Sequence, residues 1–134
     1  MAEGESRIVY KVVRVEGGRL TSCYAPRGWK KIYRIGRISK DRRSKLIAFF
    51  NLEKAIKFQL ERPSIDLKIL KCSAMGVTEP LFKTHPPGNS YFDTAKRYEQ
   101  YWKDVKKGNI KYYEHTFPKD TAWCDSILPL KEVR

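Results

Sequence analysis

Between Arg7 and Cys72 the chain runs through short stretches rich in β-branched residues, separated by turn signals, and a single helical period interrupts them at Asn51–Arg62. This arrangement constrains the fold more than any other feature. A helix set among antiparallel strands must lay its apolar stripe on their sheet. Asn51 is a good N-cap, Glu53 lies in the first turn where the helix dipole favours a negative charge, and Pro63 stops the helix. Leu52, Ala55, Ile56, Gln59 and Leu60 recur at i, i+3, i+4, i+7 and i+8, which predicts a buried stripe. Lys54, Lys57 and Glu61 then form a solvated face.

The strands follow from alternation and turn chemistry. Arg7–Val15 reads as a strand, Gly17-Gly18 supplies a tight hairpin turn, and Leu20–Ala25 returns. After the break at Pro26-Arg27-Gly28, strands are expected over Lys30–Ile38 and Lys45–Phe50, joined by the polar run Ser39–Ser44, and another over Ile65–Cys72. Prolines and glycines make Met75–Ser90 a loop. A second helix is expected from Tyr91 to Lys107, capped by Ser90 and with Gly108 just past its end; Phe92 or Tyr91, Ala95, Tyr98, Trp102 and Val105 form its core stripe or, alternatively, a stacking platform. Ile110–Phe117 and Ala122–Leu128 read as the last strands, with Pro129 closing the second. The fold class is α+β: a twisted, mainly antiparallel sheet of about five to seven strands with two helices packed on one face. Residues 1–6 are read as a flexible N-terminus and 7–134 as a single basic domain, a size that buries a core without metal or disulfide help.

One expected strand has an ambiguous pattern. In Lys30–Ile38 neither face is cleanly apolar. Either a bulge near Gly36 brings Ile35 and Ile38 to one side, or the strand is partly exposed, or Arg34 points inward to a carboxylate or a bound anion.

The charge is lopsided. The 28 Lys and Arg against 15 Asp and Glu give a net +13, and residues 1–63 hold 16 basic and 6 acidic residues. Within that half, Arg19–Lys45 carries ten cations against the single acid Asp41, or +9 in 27 residues. Tyr24, Trp29 and Tyr33 are interleaved with them. Cations neutralise phosphates and flat rings stack on bases, so this mixture suits a nucleic-acid surface. The candidate anion-binding residues are Arg27, Trp29, Lys30, Lys31, Tyr33, Arg34, Arg37, Arg42, Arg43 and Lys45, with Lys40 beside them.

Catalytic signatures are weak. Asp66-Leu67-Lys68 has a spacing found in nucleases, yet 15 acids and 17 lysines in 134 residues produce about two such pairs by chance, and two occur. His85 and His115 are not placed by sequence against Cys23, Cys124 or a serine, and Glu114-His115 near Asp120 reads as loop and strand-end chemistry. No phosphate-binding glycine loop is present, nor the aromatic signature of an RRM, the GxxG of a KH domain or zinc-finger spacing. Cys23, Cys72 and Cys124 form no CxxC pair and read as buried thiols, so no metal and no cofactor is expected. The longest apolar run, Leu46–Phe50, is far too short to span a bilayer, and the acidic start is unlike a secretory signal. A soluble intracellular protein, cytoplasmic or nuclear, without a membrane partner is expected.

The leading expectation is a non-enzymatic module that binds nucleic acid or another polyanion through 19–45. One alternative is a pocket that binds or processes a nucleotide or phosphorylated small molecule, using Arg34 and the 75–90 loop. Another is a protein-interaction module that docks on an acidic partner.

Overall fold

The computed structural model describes residues 5–23, 25, 28–80, 94–108, 117 and 120–134. Among them lie eight strands and two helices: β1 (Ser6–Glu16), β2 (Arg19–Ser22), β3 (Ile32–Tyr33), β4 (Ser39–Lys40), β5 (Leu46–Phe49), α1 (Leu52–Leu60), β6 (Leu67–Met75), α2 (Thr94–Lys107), β7 (Thr121–Cys124) and β8 (Ser126–Glu132). All pairings are antiparallel, in the order β3-β2-β1-β6-β8-β4, with β5 joining β1 to β7. The class is the expected α+β.

The long strand β1 organises the sheet. It pairs with β6 from Ser6 to Arg14 along one edge. Its other edge meets β5 at Tyr10 and then β2 from Val13 onward. Because β7 and β8 are contiguous around Asp125, the ladder β1-β6-β8 and the ladder β1-β5-β7 meet, and the sheet curls into a partial barrel. Asp125 is pinned at that meeting point by its backbone N–H, which donates to the Met75 carbonyl at 2.9 Å. Gly76 permits the approach: a Cβ there would lie 2.0 Å from the Asp125 carboxylate.

Alternation sorts the core into an inside and an outside. Val9, Val13, Leu70, Cys72, Ala74, Leu46, Ala48, Ala122, Cys124 and Ile127 fill the barrel interior. On the outer face, α1 covers Val12, Phe49, Leu67 and Ile69, and α2 places Tyr101 and Trp102 on Trp123 and Ile47. Both helices therefore pack on one face of the sheet, and the opposite face is the barrel interior. A basic hairpin cannot lie on that inner face.

Several elements form as the residues dictate. Gly17 and Gly18 take φ of 56° and 76° in the two-residue β1–β2 turn, a conformation that glycine adopts without a Cβ penalty. Asn51 caps α1 by accepting from the Lys54 N–H at 2.9 Å. Ala55 is fully buried, but Leu60 stays 62% exposed and Phe58 takes its place, its ring 5.5 Å from Phe49. Tyr98, Trp102 and Val105 of α2 share one aromatic cluster, as their spacing predicts.

Other expectations are corrected. The strand expected over Lys30–Ile38 ends at Tyr33, and Arg34–Arg37 form a turn with Gly36 at φ 83°. Neither the bulge nor the inward Arg34 occurs, because the chain leaves β3 and crosses to β8, where the Gly36 N–H donates to the Pro129 carbonyl at 2.8 Å. The single strand expected over Ala122–Leu128 is two strands bent at Asp125, and Pro129 lies inside β8 rather than closing it. A register shift in β6 between Lys71 and Cys72, opposite this proline, accommodates its missing N–H. The expected strand over 110–117, residues 91–93 of the second helix and most of the 75–90 loop lie outside the described residues.

Candidate nucleic-acid interface

The basic segment divides into cations that the fold has already partnered and cations that it has not. Asp41 makes the division. Its side chain is only 4% exposed, and the guanidinium of Arg43 grips it with Nε at 3.0 Å and Nη2 at 2.9 Å. The Arg43 backbone N–H adds a third bond at 2.8 Å, and Lys31 Nζ lies 3.1 Å away. These bonds, led by that of the Arg43 side chain, hold the Asp41 carboxyl well below the usual carboxylate range and push the Arg43 guanidinium up.

Arg43 also spreads over the Trp29 ring at 3.9 Å from its centroid and donates to the Gly28 carbonyl at 3.2 Å. Trp29 meets Tyr98 of α2 edge-on, with centroids 4.9 Å apart. The series Asp41–Arg43–Trp29–Tyr98 thus ties the 40–45 segment to α2. Burial pushes the Tyr98 hydroxyl up to about 12, so it stays protonated within the stack. A second tie runs from Lys106 Nζ to the Arg42 carbonyl at 2.7 Å, and a third pairs Lys45 with Asp125.

The candidate residues therefore fare differently. Trp29 (8% exposed) and Tyr33 (2%) are core residues, and neither presents a ring face to a base. The expectation that they stack on nucleic acid is corrected: Trp29 is needed between Arg43 and Tyr98, and Tyr33 packs in the barrel. Lys31, Arg43 and Lys45 have carboxylate partners, and exposed Lys30 bonds Glu16 at 3.1 Å. Arg34, Arg37, Lys40 and Arg42 are exposed, with no carboxylate within ion-pair distance among the described residues. Arg27 lies outside the described residues.

Beside these free cations, the 40–45 segment and the C-terminal half of α2 enclose a groove of about 380 Å³. Lys40, Arg42, Arg43, Lys45 and Lys106 line it, with Trp102 and Val105 at its base and Asp41 and Asp125 as its acids. Both acids are held by cations of the same groove. The contacts that bring Lys106 and Asp125 to this groove span 64 and 80 residues, and no local pattern encodes them.

One lysine of β1 lies inside the barrel. Lys11 alternates with Val9 and Val13 and so points inward, where its Nζ donates to the Ile47 carbonyl at 2.6 Å and lies 5.3 Å from the Tyr33 ring centre. The apolar-polar-apolar triplet Val9-Lys11-Val13 is the only signal of it in the sequence.

Catalytic chemistry finds little footing among the described residues. No group of three or more His, Cys, Asp or Glu side chains there could hold a metal ion. Asp66 is exposed, and Lys68 is engaged by Glu132 at 3.0 Å. Burial pushes the Cys72 thiol up to about 11 and that of Cys124 to about 12, which leaves both as inert packing groups; Cys23 is half-buried and also raised by burial. His85 and His115 lie outside the described residues. No helix among those residues is long and apolar enough to cross a membrane. Comparisons with protein-family models, with curated proteins and with solved structures gave no match.

Proposed function

We propose that the protein binds nucleic acid or a similar polyanion through Arg34, Arg37, Lys40 and Arg42 and the adjoining groove, without catalysis. One observation carries this reading: Arg34, Arg37, Lys40 and Arg42 stand exposed with no carboxylate within ion-pair distance among the described residues, while Lys30, Lys31, Arg43 and Lys45 are each paired with one. A polyphosphate chain that meets exposed unpaired cations releases its own condensed counterions into solution, and that release favours binding. Lys106 extends the same charge onto α2.

The binding mode is electrostatic. With Trp29 and Tyr33 buried, base stacking supplies little affinity, so sequence preference should be weak. About four phosphate contacts at 0.7–0.9 each predict a slope of log K against log salt of roughly −3 to −4. The test is fluorescence anisotropy with single-stranded and duplex oligonucleotides of mixed sequence from about 50 to 200 mM salt. A flat dependence, or no binding at low salt, overturns the reading.

The groove supports a second reading. At about 380 Å³ it falls within the range of small-molecule sites, so a nucleotide or phosphorylated metabolite is the alternative occupant. A mononucleotide that raises Tm strongly, where oligonucleotides do not, would favour it.

A further inference from the structure

The outer face of the sheet is covered by α1 at one end and by α2 over β5 and β7, but between them lies a stretch that neither helix reaches. Register defines it. Ile8 pairs with Ser73, Ser73 pairs with Leu128, and the β4–β8 register sets Ile38 opposite Leu128. Paired residues share a face, so Ile8, Ser73 and Leu128 form one row across β1, β6 and β8 that continues to Ile38, just before β4. The row is open: Ile8 is 44% and Ile38 66% exposed, Leu128 is half-buried, and none of the three belongs to a core cluster. Leu130 and Ile35, 41% and 50% exposed, adjoin it where the Gly36 turn meets Pro129.

The rows on either side are cationic. Lys40 stands beside Ser126 and Met75 in one, and Lys71 pairs with Lys131 in the other. None of these three lysines has a carboxylate within ion-pair distance among the described residues. Three strand spacings make the apolar row about 14 Å long, the length of roughly nine helical residues.

We infer that this face docks an acidic amphipathic helix of a partner protein, whose aliphatic stripe covers Ile8, Leu128 and Ile38 while its flanking Asp and Glu meet Lys40, Lys71 and Lys131. Charge complementarity selects this occupant. A second copy of the chain would set lysine against lysine, and a nucleic acid would find aliphatic side chains where it needs flat rings or bare cations. The inference is independent of the polyanion reading, since the groove and this face share only Lys40.

The test uses the full chain and a synthetic Glu/Leu amphipathic helix of about fifteen residues, with a scrambled version, poly-Glu and phosphatidylserine-containing vesicles as controls. NMR shift perturbations by the amphipathic peptide should cluster at Ile8, Ser73, Leu128 and Ile38. Ile38→Asp should weaken its binding at least tenfold and Lys131→Glu about fivefold, while both variants keep the wild-type Tm and Lys131→Glu keeps the wild-type oligonucleotide affinity. The inference is overturned if scrambled peptide or poly-Glu binds equally well. It is equally overturned if Ile38→Asp changes nothing, if the shifts map to the 40–45 groove, or if vesicles bind through Ile38 and the peptide does not.

Discussion

Two stretches of the same basic segment, a few residues apart, use arginine and lysine for opposite ends. At Lys30–Tyr33 and Arg43–Lys45 every described cation is tied to a carboxylate, and Arg43 also covers an indole. At Arg34–Arg42 the cations point to solvent with no such partner among the described residues. The first group fixes a surface and the second charges it. A bidentate Arg–carboxylate pair over a buried ring gains from geometry as well as charge, whereas an isolated surface cation contributes almost nothing to folding. Substitutions in the two stretches should therefore separate stability from binding.

Trp29→Ala should have the largest effect. It removes the ring between Arg43 and Tyr98 and should cost about 3–5 kcal/mol in urea denaturation, as large buried aromatics do. A loss below about 1 kcal/mol would place Trp29 among the free surface groups instead. Asp41→Asn comes next, at about 1–3 kcal/mol, because it strips Lys31 and Arg43 of their shared charge.

Asp41 also sets a pH dependence. Its folded pKa is depressed, so its stabilisation is complete above the ordinary carboxylate pKa of about 4 and drains away as pH falls toward the folded value. Thermal melts between about pH 5 and pH 2 should show a drop in the wild type that is shallower in Asp41→Asn. Arg43→Lys keeps the charge but loses the planar fork and should cost about 1 kcal/mol. Arg42→Glu should change stability by less than about 0.5 kcal/mol. Its effect is on binding, which should weaken about tenfold toward oligonucleotides.

How much of this could be read beforehand differs by range of interaction. The α1 cap at Asn51, the Gly17-Gly18 turn and the Tyr98, Trp102 and Val105 stripe were legible, because each is specified within a few residues. The fate of Trp29 and Tyr33 was not. Burial of a ring depends on what returns to it from α2 and from the barrel, and a sequence neighbourhood crowded with arginines suggests exposure instead. The turn at Gly36 was half legible: the broken alternation signalled an irregularity, but only the distant Pro129 carbonyl decides that the chain turns there. The role of Asp41 illustrates the same limit. As the lone acid among ten cations it reads as a minor offset, and the fold makes it the anchor of three bonds from Arg43 and a fourth contact from Lys31.

The most direct measurement is oligonucleotide affinity across salt for the wild type, for Arg37→Glu/Arg42→Glu and for Arg43→Lys, each with Tm recorded in the same buffers. If the division of the segment is right, the wild type gives a slope of roughly −3 to −4. The double variant should lose most of its affinity and flatten that slope without losing Tm, and Arg43→Lys should lose Tm with little change in slope. Wild-type affinity and slope in Arg37→Glu/Arg42→Glu would contradict it, and would show that the free cations are not where a polyanion binds.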